Sequence, residues 1–413
     1  MSASADRLRT LLALSLGLFA AGVQVHELFA TVGGWLTTAL AVAVLAREGR
    51  LGAEARALWP LAPFLLWSLV GPLVLGHPPT GTGVARLLDV LMLPGVLWAC
   101  LLVTEAALLR VAAVASVVLL LSCAAAGLQY LGQWPRSETF SSLWWAQVPT
   151  DRVYEPVPGR TDRFMGGGLL LHRLRFANVS AAVTVLAAAG ALLVPQRRAL
   201  FAVVALVGLG AVAVFPHARA ATVALVVALL VVAGLGAPTR RLGLLLGGGV
   251  ATVATLLVVV TPSMRERLIS ALEANAASDR QLLVSAGLSA LAQAPLGGVG
   301  LGRFKPGAHV PAEAPEAVRQ HQGKTHNQFL TVAAEGGVPA LVTLLALLAW
   351  VAAQGLRQGR AGAGAMGALV LVVGLSALHD PLFHAESSLA LFGALGAGLG
   401  LARRAGPRAD RQT

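Results

Sequence analysis

The sequence predicts an all-α, polytopic membrane helix bundle of about twelve spanning helices, with a large helical loop before the tenth. Three observations predict it. Of the 413 residues, 56% are hydrophobic and only 12% charged, about half the charged fraction of an ordinary soluble domain, so water is not the solvent for most of this surface. Apolar runs of spanning length recur along nearly the whole chain. Arginine alternates from one short connection to the next, crowding one side of the membrane and nearly absent from the other.

A span needs roughly 17 to 25 apolar residues. On that rule helices are expected at 8–24, 29–46, 58–76, 87–104, 108–131, 177–195, 199–215, 220–237, 241–261, 327–352, 364–379 and 387–402. The first run leads into the second without a convincing cleavage site, so it is read as a retained helix rather than a signal peptide. Residues 1–413 then form a single integral membrane domain, with two long connections, 132–176 and 262–326, and no soluble domain left over.

Sidedness follows from the short connections, where Lys and Arg mark the cytoplasmic face. With both termini inside, that face carries Arg7, Arg9, Arg47, Arg50, Arg56, Arg110, Arg197, Arg198, Arg240, Arg241, Arg357, Arg360, Arg403, Arg404, Arg408 and Arg411, whereas the opposite short loops hold only Arg86 and Arg219. Both long loops face outward, where long segments translocate regardless of charge. The first holds Phe140, Trp144 and Trp145, which suit headgroup depth, then Gly166 to Gly168. The second reads as two short helices, TPSMRERLISALEANAA and DRQLLVSAGLSALAQA, broken by the glycines of APLGGVGLGRF.

Some function classes fall away. The net charge of +12 is dispersed between spans rather than gathered on one soluble face, which points to orientation and anionic lipid or phosphate contact and away from nucleic acid. Cys100 and Cys123 both lie inside apolar runs, so no disulfide framework or thiolate metal site is indicated. GGVGLGRF lacks the strand and helix that a dinucleotide fingerprint requires, and its glycines read instead as close packing or a sharp return. His379, Asp380, His384 and Glu386 are too irregularly spaced to share one helical face as metal ligands. A transporter would carry ionisable residues at mid-membrane and broken helices in two matching halves. Here the polar residues gather at the outer face, with Glu335 the main exception, expected as a paired buried carboxylate or part of a proton path.

The residues left to carry chemistry are few. His326 lies in KTHNQFLTVAAEGGVPAL, where polar loop meets apolar helix, and Asn327 and Gln328 follow it. Imidazole exchanges protons near neutral pH, and a helix N-terminus favours an anionic ligand; the alternative is an interfacial or capping residue. Arg219, in FPHARAATVAL, is either a snorkelling residue or one held outside by a ligand. Arg280 begins the second loop helix, and Arg265, Arg267 and Arg303 repeat the idea more weakly. Converging guanidinium groups grip a pyrophosphate through planar, permanently charged forks; a solvated helix face is the competing account of each.

Taken together, TPSMRER, SDRQLL, APLGGVGLGRF, KTHNQFLTVAAEGGVPAL, HARAATVAL and LRFANVSAAV resemble the bacterial O-antigen ligase and O-antigen polymerase superfamily over about residues 170–390. The arginine segment departs from the usual pattern in having His-Ala where a small hydroxyl residue is common. The resemblance implies a glycosyltransferase of the bacterial inner membrane that moves a glycan from undecaprenyl pyrophosphate to a lipid A core sugar hydroxyl on the periplasmic side. It implies no cofactor and no metal. His326 would be catalytic, and Arg219, Arg280, Arg265, Arg303, Asn327 and Asn178 would bind substrate. Ligases, polymerases and protein O-oligosaccharyltransferases share the histidine motif, so the acceptor is not legible in it.

Overall fold

The computed structural model describes residues 3–134, 155–157, 160, 162–260, 275–320 and 324–405. Among them the structure is helical, with no β-strand and one isolated bridge, Pro156 to Phe164. The helices, in chain order, are α1 (Ala3–Gly22), α2 (Glu27–Arg47), α3 (Leu51–Ala57), α4 (Leu61–Val74), α5 (Gly81–Leu88), α6 (Met92–Leu102), α7 (Glu105–Tyr130), α8 (Arg173–Leu193), α9 (Arg198–Val214), α10 (Arg219–Gly236), α11 (Arg240–Val260), α12 (Asn275–Gln293), α13 (Glu316–Arg319), α14 (Gln328–Arg357), α15 (Ala363–Leu378) and α16 (Ala385–Ala405).

Every expected span is present as helix, though not always as one straight rod. Among the described residues, ten stretches are long and apolar enough to cross a membrane, and α3 with α4, bent by 78°, passes the same test as a pair. The first expected span is α1, whose opening turns carry Asp6, Arg7 and Arg9 and so shorten its apolar length. Leucines such as Leu14, Leu206 and Leu244 are 60% to 68% exposed on outward faces, as a multi-pass membrane protein requires. Of the two expected loop helices, TPSMRERLISALEANAA lies almost wholly outside the described residues, while the second is α12. Phe140, Trp144, Trp145, Arg265 and Arg267 also lie outside them.

The arginine-bearing short connections meet at one end. Arg9 and Arg50 both pair with Glu48, at 2.7 and 2.9 Å, and Arg50 and Arg403 share Glu54. Arg360 donates to Gly236 O there as well.

At the centre runs α16, buried on nearly all sides between α6, α8 and α15. Its alanines and glycines make that possible, since small side chains let membrane helices approach closely. A Cβ on Gly396 would stand 2.3 Å from Leu93 O. Because α16 is central, residues 379–384 just before it are delivered to the middle of the loop end, where α8, α10, α14 and α16 all begin.

Candidate active site

His326 occupies a turn that the sequence builds in detail. Thr325 Oγ1 accepts from Asn327 N at 3.2 Å, and Asn327 Oδ1 caps α14 by accepting from Leu330 N at 3.0 Å. The capping duty therefore falls to Asn327, which frees the His326 side chain from it. His326 itself adopts φ +59°, the left-handed region uncommon for side-chain-bearing residues, which turns the chain sharply into the helix. Neighbouring backbone holds the turn. The His326 N–H bonds to the Asp380 carboxylate, Thr331 Oγ1 donates to the same group at 2.8 Å, and Gln328 N–H donates to His379 O at 3.2 Å. The His379 ring meets the His326 ring edge-on, with centroids 5.5 Å apart.

The field at this end is positive. Burial pushes His379 down to about 4, and the charges of His326, Arg280 and Arg173 push the same way. His384, whose ring lies 5.2 Å from that of His172, falls to about 3 by burial, with His172, Arg175, His379 and Arg86 adding to it. Burial lifts Asp380 to about 6 against the pull of its hydrogen bonds. Arg219, at the first position of α10, feels the charge of Arg280. Two of these cations are paired, Arg175 with Glu386 at 2.6 Å and Arg173 with Glu155 at 2.7 Å. Cations and helix N-termini are gathered at this end, an arrangement that favours negative charge.

A second set of bonds fixes the approach to His326. The helix α14 breaks at Gly337 (φ 75°, ψ −179°), two residues before Pro339. The turn in APLGGVGLGRF fills the break: Val299 and Gly300 donate to the carbonyls of Ala334 and Glu335, and Val338 donates to Pro295 O at 2.8 Å. A Cβ on Gly298 or Gly337 would strike backbone within 2.3 Å, so both glycines serve close packing, as the sequence suggested for Gly298. Glu335 is a buried, paired carboxylate: Lys324 Nζ bonds to it and to Phe304 O. A cleft of about 70 Å³, lined in part by Arg86, Gln328 and Thr331, opens beside the pair.

Of the expected site residues, His326, Asn327, Arg219 and Arg280 thus belong to one neighbourhood. Arg265 lies outside the described residues. Arg303 donates through Nε to Pro78 O at 2.6 Å, tying its turn to the segment before α5. Asn178 is buried within the bundle and donates to Ser387 Oγ at 3.3 Å, joining α8 to α16. His379, Asp380, His384 and Glu386 divide among different partners, and among the described residues no three His, Cys, Asp or Glu side chains converge as metal ligands. Sequence reasoning missed His379, Asp380 and Arg173 as members of the site. The available clue was that HRLR and HDPLFH place charged and histidine residues just ahead of two helices on the same face.

Residues 204–345 match the family model described as O-antigen ligase. The match supports the O-antigen ligase superfamily for this segment. It runs from within α9 to the middle of α14, so the matched segment contains Arg219, Arg280, Arg303, His326 and Glu335, while Arg173 and His379 come from flanking sequence. It supports a glycosyltransferase of the O-antigen ligase or polymerase type. No curated protein matches the chain.

Proposed function

We propose that this protein is a glycosyltransferase acting at the periplasmic face of the bacterial inner membrane, with both termini cytoplasmic. It transfers a glycan from undecaprenyl pyrophosphate to a sugar hydroxyl of lipid A core. The observation that carries this reading is the gathering of Arg219, Arg280 and the His326–His379 ring pair at the loop end.

Arg219 and Arg280 hold the donor diphosphate, and the neighbouring helix N-termini add partial positive charge. His326 takes the acceptor hydroxyl proton as the oxygen bonds to the anomeric carbon. The bond from that carbon to the phosphate oxygen breaks, its electron pair leaving with undecaprenyl pyrophosphate. Fixed guanidinium charge then stabilises the departing diphosphate more than the bound donor. Asp380 contributes by holding the His326 backbone, so it is a positioning residue.

Purified protein supplied with carrier-linked glycan, and with lipid A core or a second carrier-linked repeat in separate tubes, tests the reading. Product on the core is the expected result. Longer carrier-linked chains would instead make the protein a polymerase, and a glycosylated protein hydroxyl would make it an oligosaccharyltransferase. General-base help is worth about 10² to 10⁴ in rate, so His326→Ala should lose turnover by that factor while still inserting in the membrane. Undiminished turnover in that variant removes the role.

A further inference from the structure

A cavity of about 760 Å³ lies among α1, α6, α7, α8 and α16. It opens at the arginine-rich end, where Arg9, Arg50 and Arg404 line it together with one carboxylate, Glu105. From there it follows α1 from Arg9 to Val23 and α16 from Ala405 back to Ala390, a depth of roughly 20 Å at 1.5 Å per residue. The walls are apolar, and the space exists because α8 and α16 present short side chains to it, among them Ala187, Gly190, Ala394 and Ala397. Packed protein interiors leave few voids larger than a water molecule, so a space of this size is a ligand-sized chamber and not a packing fault.

We infer that this chamber binds an anionic phospholipid from the leaflet at the arginine-rich end, its phosphate at the arginine mouth and an acyl chain along the apolar walls. Three observations converge on that occupant. Three guanidinium groups and one carboxylate line the mouth, with Glu48 pairing Arg9 and Arg50 and Glu54 pairing Arg50 and Arg403 behind them. Arg9 donates through Nη2 to Glu48 at 2.7 Å, which holds its guanidinium at the mouth. The depth exceeds half of a hydrocarbon core of about 30 Å, so a tail entering with its headgroup at the mouth is accommodated along its length. Arg404 is fixed at the mouth through Cys100 O and Val103 O, at 3.1 and 2.5 Å. None of the residues assigned to glycan transfer takes part, so the two readings stand or fall separately.

The test uses full-length protein in nanodiscs of equimolar phosphatidylglycerol and phosphatidylcholine, followed by native mass spectrometry of retained lipid. Phosphatidylglycerol should be retained in excess, and Arg9→Gln should cut that preference about fivefold, the equivalent of the roughly 1 kcal/mol that one arginine near a membrane surface contributes. Ala397→Phe, which fills the chamber, should abolish retention of both lipids while its melting temperature reports that it folds. Equal retention of the two lipids by the wild type would overturn the proposal, as would undiminished retention by a folded Ala397→Phe protein. Should that variant fail to fold, the wild-type ratio and the Arg9→Gln ratio decide. Displacement of phosphatidylglycerol by added undecaprenyl phosphate would assign the chamber to a polyprenyl chain and also overturn the proposal.

Discussion

Replacing Lys324 by Met should cost far more than its distance from any reacting atom suggests. The ammonium is 7% exposed and its partner Glu335 10% exposed, and Lys324 also bonds to Phe304 O at 3.1 Å. Removing one member strands the other charge in a dry site, which costs about 3–5 kcal/mol, whereas an exposed pair is worth about 1 kcal/mol or less. The same chain supplies the control: Arg9 and Glu48 form a pair at 2.7 Å with side chains 32% and 26% exposed. Lys324→Met and Glu335→Gln should therefore each lose about 3–5 kcal/mol, Glu48→Gln no more than about 1, and the Lys324→Met, Glu335→Gln double variant should recover much of the loss. Unfolding of the detergent-solubilised protein by denaturant, read as a double-mutant cycle, measures this. Lys324 also tethers the loop two residues ahead of His326, so the single variants should lose glycan transfer before they lose helicity. A cost for Lys324→Met as small as that for Glu48→Gln would refute the reasoning.

Other expectations follow from particular contacts. His379, depressed to about 4 from 6.5, stays neutral in the fold while the unfolded chain takes up a proton below 6.5. The His379 contribution to stability is therefore lost as pH falls from 6.5 towards 4, and His379→Gln should remove about 3 kcal/mol of that loss. Asp380, raised to about 6 from 3.8, works in the opposite sense and is common to both proteins; melting temperatures of the two between pH 4 and 7 read the difference, and parallel curves would discard it. Gly337→Ala puts a side chain at φ 75° and against Leu296 O, so a loss of more than about 1–3 kcal/mol is expected, and an unchanged melting temperature would mean that the break in α14 is not required. Asn178→Ala removes a buried hydrogen bond to Ser387, so it should cost about 1 kcal/mol of stability and leave the Michaelis constant for donor unchanged; a rise in that constant would restore Asn178 to the binding site.

By itself, the sequence determined the solvent and the frame of this protein. Spanning runs and the arginine bias depend on local composition over about twenty residues, so the helical bundle and the shared end of Arg9, Arg50 and Arg403 were legible without coordinates. His326, Arg219 and Arg280 were legible too, because a polar residue beside a span is conspicuous against an apolar background. What depended on contacts between distant segments was not. The bending of α3 against α4 and the break at Gly337 are set by packing, and the break is stable only because residues 295–300 supply its missing hydrogen bonds. Tertiary structure alone brought His379 and Asp380 to His326, some fifty residues away in sequence, by threading small-residue α16 through the centre of the bundle. It also sent Asn178 into a helix clamp and opened a chamber where alanines face one another. Side-chain partnerships and empty space belong to the relative placement of helices, and that placement is fixed by summed packing rather than by any one stretch of chain.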